Sequence, residues 1–148
     1  MTYKIRQAGR TEAPVMPMEF RFEFDAENKI LLSRFEGRLT DQSAAAFYEA
    51  LRKYAAATDA ILGIVDFSST IEFAVSSETI RQLARQKPAP TAIGRPRVIV
   101  APQTHAFGLF RMFQLEGEHN RPLLQVVRTM EEAYAALGVR DPHFEPLE

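Results

Sequence analysis

The stretch AILGIVDF, residues 60–67, decides the fold. It runs through five aliphatic residues and one glycine without a polar interruption and then reaches Asp66. A short, continuous apolar run of this kind is typical of a strand covered on both faces, and such strands occur mainly in parallel sheets. The run RVIVA at residues 97–101 has the same character, and LLQVV follows at residues 123–127. The sequence therefore predicts a parallel sheet with residues 60–67 near its centre.

Upstream of this run, the pattern predicts a hairpin and a helix. In MEFRFEF, residues 18–24, apolar and charged residues alternate strictly, which indicates a half-buried strand. ILLSRFEGRL, residues 30–39, is a second strand, and the connection DAENK makes the pair an antiparallel hairpin. Residues 40–58 then form an alanine-rich helix with Thr40 or Asp41 as its N-cap. Its buried stripe consists of Ala44, Phe47, Leu51 and Tyr54.

Downstream, helices alternate with strands. Ser76 caps a helix over residues 77–86, and KPAPTAIGRP, residues 87–96, is a loop because it holds three prolines and a glycine. A third helix follows over residues 102–118. The last helix is bounded by a capping box and a glycine C-cap, formed by Thr129, Glu132 and Gly138.

The element order β-β-α-β-α-β-α-β-α predicts an α/β fold. Its sheet is mixed but mostly parallel, with an N-terminal antiparallel hairpin and with helices packed on it. We predict one domain over residues 18–138, an N-terminal tail over 1–17 and a C-terminal tail over 139–148.

The composition excludes several function classes. With 148 residues and a net charge of −1, the chain is the size of one domain and has no global field that would attract nucleic acid. It has no cysteine, which excludes disulfides, thiolate nucleophiles and cysteine-ligated metal centres. Its apolar runs are too short to span a bilayer, and residues 1–15 lack the apolar centre of a secretory signal. We therefore expect a cytoplasmic protein with no integral membrane segment.

The charges are distributed unevenly. Residues 79–115 contain no Asp or Glu but six Lys and Arg, which is +6, so that a net charge of −1 leaves −7 on the rest of the chain. One interpretation is a solvated face, and the other is a patch that meets an anion or the acidic part of another subunit. The six residues are Arg81, Arg85, Lys87, Arg95, Arg97 and Arg111.

The third helix has apolar residues on more than one side. Its sheet-facing stripe is Ala106, Leu109, Phe110 and Phe113, and five residues lie outside that stripe: Phe107, Gly108, Arg111, Met112 and Leu115. Their cover is a second subunit or protein partner, another part of the chain, or a small apolar ligand. We expect a homodimer that uses this helix. We also expect Arg111 to have an acidic partner, because an unpaired buried charge is costly.

The sequence offers no catalytic constellation. The three histidines, His105, His119 and His143, have no spacing that places two of them on one helix face, so no metal site is predicted. Ser68 and Asp66 could be combined with His105, but no Gly-x-Ser-x-Gly elbow exposes a serine, and there is no glycine-rich phosphate loop. We predict no catalytic residue, no cofactor and no enzymatic activity.

Four stretches follow a known pattern: VDFS after the third strand, SSETIRQLAR in the second helix, RVIVAPQTHAFGLFRMF, and VVRTMEEAYAALG. Together they resemble the SpoIIAA-like family of small bacterial proteins, whose element order is that of the STAS fold of anti-sigma-factor antagonists. The resemblance covers residues 18–138 and implies that fold. The family is also likened to CRAL-TRIO lipid-binding domains.

The resemblance also implies a candidate phosphoacceptor. The phosphoregulated antagonists carry a serine in an Asp-Ser-Ser-Gly motif at the start of a helix, and Ser76 or Ser77 lies at that place here. Val75 replaces the aspartate of the motif, and Glu78 replaces its glycine, so a phosphate would be repelled by a neighbouring carboxylate. The alternative is that the serine only caps the helix.

Two functions follow from these observations. The first is a non-enzymatic STAS-like regulatory or interaction module that self-associates through the third helix and binds a protein partner. The second is a binder or carrier of a small amphipathic anion, such as a fatty acid, whose charge is met by Arg81, Arg85, Arg97 or Arg111. A flat apolar patch would favour the first function, and a sealed apolar cavity of a few hundred Å³ would favour the second.

Overall fold

The computed structural model describes residues 19–147, without the side chain of Thr91. In this part of the chain there are eight strands: β1, Phe20–Asp25; β2, Ile30–Phe35; β3, Gly37–Leu39; β4, Leu62–Asp66; β5, Thr70–Phe73; β6, Arg97–Val100; β7, Leu124–Val127; and β8, Glu145–Pro146. Six of them form a sheet in the order β7-β6-β4-β2-β1-β8. In this sheet β2, β4, β6 and β7 are parallel, whereas β1 is antiparallel to β2 and to β8. The predicted mixed, mostly parallel sheet with its N-terminal hairpin is confirmed.

Four helices pack on this sheet: α1, Asp41–Ala57; α2, Ser77–Arg85; α3, Thr104–Glu116; and α4, Met130–Leu137. Their ends follow the predicted capping signals. Thr40 caps α1 and accepts a hydrogen bond from the Ser43 amide, and Ser76 caps α2 in the same way through the Thr79 amide. No helix within residues 19–147 combines the length and the hydropathy needed to cross a membrane.

The two faces of the sheet are covered differently. We call the side covered by α1, α2 and α3 the three-helix face, and the side covered by α4 the α4 face. Residues alternate between them along each strand. In β6, for example, Ile99 packs on the three-helix face while Val98 and Val100 pack on the α4 face. This two-sided burial is the reason why the parallel strands are continuously apolar in the sequence.

The second predicted strand, residues 30–39, is divided in two. Gly37 has a φ of +90°, a conformation that disfavours side chains, and it turns the chain out of the main sheet after Phe35. The chain continues as β3, which pairs in parallel with β5 in a separate two-stranded sheet. Residues 68–75, between the run at 60–67 and the second helix, therefore contain a strand that is not among the predicted elements. The Thr70 hydroxyl donates to the Phe35 carbonyl at 2.8 Å and fixes the junction of the two sheets.

Residues 139–147, which lie in the predicted C-terminal tail, pack against the domain. The pairing of β8 with β1 satisfies backbone groups at the edge of the sheet, and the Leu147 amide donates to the Phe22 carbonyl at 2.9 Å. The buried carboxylate of Asp25 accepts the His143 amide at 3.1 Å, and Phe144 packs on the α4 face. The N-terminal tail predicted over residues 1–17 lies outside the described residues.

Candidate functional site

A cavity of about 90 Å³ lies in the core of the three-helix face. We call it the core cavity. Aromatic and aliphatic side chains from α1, α2, α3 and the central strands form most of its wall, and two arginines and a tyrosine form the rest. The lining residues are Leu39, Ala44, Phe47, Tyr48, Leu51, Val65, Phe67, Ile80, Leu83, Arg97, Ile99, Phe110, Phe113, Arg121 and Leu124.

Arg121 is the more deeply buried of the two arginines, with 4% of its surface exposed. Nη1 donates to the Ala84 carbonyl at 2.8 Å, and Nη2 donates to the Gln86 carbonyl at 2.7 Å and to the Tyr48 hydroxyl. These carbonyls lie at the C-terminal end of α2, where the helix dipole is negative, and so they compensate the guanidinium without a carboxylate. Gly117 permits the approach, since a Cβ there would lie 2.7 Å from the Ala84 oxygen.

Arg97, the first residue of β6, has fewer partners. Its side chain crosses Gly63 of β4, where a Cβ would lie 3.1 Å from its Cγ. Nη2 donates to the Ala92 carbonyl at 3.1 Å, whereas Nε is buried and has no hydrogen-bond partner within the described residues. Burial lowers the pKa of Arg97 to about 10, and the charge of Arg121 acts in the same direction. Arg97 therefore stays charged at neutral pH in a poorly compensated position.

The route from solvent to the core cavity passes along α1. Among the lining residues, Tyr48 and Leu51 of α1 and Arg97 are half-buried, while most of the others are buried. A second cavity of about 40 Å³ lies beside the first and shares Leu51, Val65 and Arg97 with it. Arg97 thus stands between two cavities, close to the loop that connects α2 with β6.

Of the four arginines predicted as anion contacts, Arg97 lines the core cavity and the others do not. Arg81 and Arg85 lie on the surface of α2, at 3.9 and 4.0 Å from the carboxylate of Glu116 on α3. Arg111 is exposed and has no ion pair with any residue that the structure describes. Its predicted acidic partner would have to come from a part of the chain outside the described residues, from another subunit or from a ligand.

The outer residues of α3 are partly covered by the chain itself. Phe107 packs beneath the Arg128 guanidinium, whose Cζ lies 4.1 Å from the ring centroid, and Met112 contacts the core. Leu115 is 62% exposed, and it shares an outward stripe with Gly108 and Arg111. None of these residues lines the core cavity; α3 contributes its sheet-facing side chains, Phe110 and Phe113, to that wall.

Ser76 and Ser77 lie at the start of α2. The Ser76 hydroxyl lies 3.2 Å from the Asp41 carboxylate, and the Ser76 amide donates to the same carboxylate at 2.6 Å. The hydrogen bond from the Ser76 amide, followed by those of the Thr79 and Ser76 side chains, lowers the pKa of Asp41. A phosphate on Ser76 would therefore meet the Asp41 carboxylate as well as Glu78. Ser77 is exposed, and its role as a phosphoacceptor stays a prediction.

A polar cluster lies on the α4 face at the carboxyl end of β4. Asp66 is buried and accepts hydrogen bonds from the amide and hydroxyl of Ser68, while its other oxygen lies 3.2 Å from Arg34 Nη1. The Nε of Arg34 lies 3.4 Å from the Glu23 carboxylate, within ion-pair distance but without hydrogen-bond geometry. Burial raises the pKa of the nearby Tyr134 hydroxyl; Arg34 opposes this rise, and the two carboxylates add to it.

No hydrogen bond joins a histidine ring to a serine within residues 19–147, and His105 is exposed on α3. No group of three or more His, Cys, Asp or Glu residues in the same range is arranged to hold a metal ion. Ser68 and Asp66 are therefore a local hydrogen-bonded pair, because Asp66 caps the turn that follows β4.

Arg121 and Tyr48 were missed by the sequence reasoning. Arg121 lies six residues beyond the acid-free segment 79–115, and its partners are distant in the chain: 37 residues for Ala84 and 73 for Tyr48. No local pattern marks such an arginine as buried. Arg97 belongs to the acid-free segment, and no Asp or Glu is among the described residues that line the two cavities beside it.

The fold was compared with solved structures. It is similar to the structure of the anti-sigma factor antagonist SpoIIAA in its unphosphorylated form, with a TM-score of 0.53 and 14% sequence identity, over 82% of this chain and 99% of that one. The fold is STAS-like. This confirms the resemblance on which the fold was predicted, while the likeness to CRAL-TRIO domains has no support from the comparison. No protein-family model and no curated protein matches the sequence.

Proposed function

We propose that the protein is a non-enzymatic STAS-like regulatory or interaction module. The observation that carries the proposal is the likeness of its whole domain to SpoIIAA, a protein that antagonises an anti-sigma factor. The polar groups at the carboxyl edge of β4 support the proposal, because Asp66 is occupied by the turn at Ser68 and by Arg34. No histidine ring bonds to a serine among the described residues. Function then depends on surfaces that meet other molecules.

Self-association through the outward stripe of α3 is the first such interaction. Leu115 supplies exposed apolar surface. Gly108 has no side chain and faces open space, since no described atom outside its own stretch of helix lies within 4 Å of where a Cβ would be. The net charge of the chain is −1 and residues 79–115 carry +6, so the remaining residues carry −7. Arg111 can therefore meet a carboxylate of a second copy. A second copy of this chain fits all three residues.

Sedimentation velocity tests this dimer. We expect wild-type protein to be a dimer and Leu115→Glu to be a folded monomer, because the new carboxylate would have to be desolvated in the interface. Leu123→Glu is the matched control, since Leu123 is also an exposed leucine but lies outside α3. Wild-type protein that stays monomeric at high micromolar concentration would exclude self-association.

The core cavity of about 90 Å³ is smaller than the few hundred Å³ that would by itself favour binding of a small amphipathic anion, but one specific observation favours this second function. The core cavity is apolar over most of its wall, yet the guanidinium groups of the buried Arg121 and the half-buried Arg97 belong to it, and neither takes part in an ion pair within the described residues. Pockets of this composition hold ligands with an apolar body and one charged group. A module of the first kind can also carry such a ligand, so the two functions are compatible.

Native mass spectrometry of freshly purified protein examines both functions together, because it reports the number of subunits and the mass of any co-purified molecule. Melting temperatures in a series of carboxylates complete the test. A ligand that binds only the folded state raises the melting temperature, and the rise grows with the logarithm of the ligand concentration relative to its Kd. The anion-binding function is wrong if no carboxylate in the series shifts the melting temperature.

A further inference from the structure

The two arginines of the core cavity differ in how many hydrogen-bond donors they leave free for a ligand. Arg121 donates to the carbonyls of Ala84, Gln86 and, at 3.4 Å, Leu83, and to the Tyr48 hydroxyl, so its donors are largely used. Arg97 has one carbonyl partner and a buried Nε without any among the described residues. A charged group of an incoming molecule would therefore find its free donors on Arg97.

The position of Arg97 is fixed before any ligand arrives. It begins β6, its stem lies against Gly63 in the neighbouring strand, and its backbone is held in the parallel register Gly63↔Arg97 and Arg97↔Leu124. A guanidinium that is already held in place loses little conformational freedom on binding. Its planar fork suits a carboxylate, which can accept two parallel hydrogen bonds from it.

The volume of the cavity limits the apolar body of the ligand. A cavity of roughly 150 Å³ holds a benzene ring, which has six carbon atoms. In proportion, the core cavity of about 90 Å³ holds about four carbon atoms. The adjoining cavity of about 40 Å³, which shares Arg97, extends this to about five, to which the carboxyl carbon adds one. A long acyl chain does not fit unless α1 moves away from the sheet.

We propose that Arg97 binds the carboxylate of a short-chain monocarboxylic acid of about four to six carbons, whose alkyl chain fills the core cavity beneath α1. This proposal rests on the anion-binding function and specifies its ligand. The entrance lies between α1 and the loop that follows α2, where the half-buried residues Tyr48, Leu51 and Arg97 reach solvent. The carboxylate stays near this entrance, and the chain points towards Phe67 and Phe110.

The test uses isothermal titration and amide chemical-shift mapping with butyrate, hexanoate, decanoate and 1-hexanol. Hexanol has the apolar body of hexanoate without its charge, so the pair separates anion recognition from cavity filling. We expect butyrate and hexanoate to bind more tightly than decanoate, and hexanoate more tightly than hexanol. The shifted amides should belong to residues around Arg97 and Leu51.

Two variants make the test specific. Arg97→Met should lower the affinity for hexanoate at least tenfold and leave that for hexanol unchanged; it should fold, since methionine replaces an incompletely compensated charge by an apolar stem. Arg140→Met is the matched control, because Arg140 is an exposed arginine that lies outside α3 and is not part of the cavity wall. It should bind hexanoate as the wild type does.

Each other outcome overturns a separate part of the proposal. Equal affinities for hexanoate and hexanol, or unchanged hexanoate binding in Arg97→Met, would show that Arg97 does not receive the anion, although the cavity binds ligands. Tight binding of decanoate alone would contradict the short chain and leave the anion-binding function standing. Loss of hexanoate binding in Arg140→Met would show that the anion is not bound specifically at the core cavity. If none of the four compounds binds, the anion-binding function itself is wrong.

Discussion

On the α4 face, Arg34 lies between two carboxylates, with Glu23 at 3.4 Å and Asp66 at 3.2 Å. On the three-helix face, Arg97 and Arg121 have no ion pair with any described residue. The same functional group is thus compensated by the chain's own acids on one side of the sheet and by carbonyl dipoles on the other. The difference shows that the charge of one arginine can be compensated by carboxylates of the same chain, while another arginine keeps hydrogen-bond donors that a ligand could use.

Topology is the reason for this difference. Residues at partner positions on neighbouring strands come close together, and Arg34 is the direct partner of Asp66 in the parallel register of β2 and β4. Glu23 is placed on the same face by β1, next to them. Arg97 and Arg121 lie at the amino ends of β6 and β7, where residues 79–115 supply no acid at all. Backbone carbonyls, such as those at the C-terminal end of α2, are the groups that remain to compensate the guanidinium charges there.

The largest expected effect comes from Arg121→Met. The substitution leaves the carbonyls at the C-terminal end of α2 without a donor in the core, and we expect a loss of roughly 3 kcal/mol in the free energy of unfolding. Urea unfolding measures it. Arg97→Met is the control on the same cavity wall and should be nearly neutral or stabilising. Equal losses in both variants would contradict the assignment of a structural role to Arg121 alone.

On the opposite face, Asp66→Asn should have the next largest effect. It removes one of the two charges that compensate Arg34 and weakens the turn at Ser68, so we expect a loss of about 1–3 kcal/mol. The matched control is Asp59→Asn, which removes an exposed carboxylate that pairs with Lys29 at the surface, and this change should be hardly measurable. If both variants unfold at the wild-type urea concentration, Arg34 does not depend on Asp66.

The smallest expected effect is a pH dependence of the free energy of unfolding that comes from Asp25. Burial by itself raises the pKa of this carboxyl, but hydrogen bonds from Asn28, His143 and Glu27 outweigh it, and the pKa is lowered. A carboxyl with a lowered pKa in the folded state stabilises the protein above its ordinary pKa, and this contribution is lost as the pH falls through the folded-state pKa. The free energy of unfolding should therefore fall below about pH 4.

Asp25→Asn separates this carboxyl from the other acids of the domain. The variant should be less stable than wild type at neutral pH, and the gap should narrow as the pH falls, because asparagine does not titrate. Urea unfolding between pH 7 and pH 3 gives both curves. A gap that is the same at every pH would show that the lowered pKa of Asp25 makes no contribution to stability.

The cavity shows where sequence reasoning reached its limit. The core stripe of α3, Ala106, Leu109, Phe110 and Phe113, was predicted correctly from helical periodicity and is buried in the structure. Periodicity, however, reports which side of a helix is apolar and does not report whether the facing layer fills the space completely. Arg121 shows the same limit for charge: in the sequence it is an arginine between a polar segment and a strand, and its burial follows from helices that come from elsewhere in the chain.

The sequence by itself determined the four helices, the strands β1, β2, β4, β6 and β7, and their order. Strand alternation, helical periodicity, N-caps such as Thr40 and Ser76, and the αL glycine Gly138 are local properties of the chain. The tertiary structure alone decided that Gly37 divides the second strand and that residues 145–146 complete the sheet edge, since both depend on hydrogen bonds between distant segments. It also decided which arginines line the core cavity. Burial of a charge is a property of the packed layers around it, and no short stretch of sequence contains those layers.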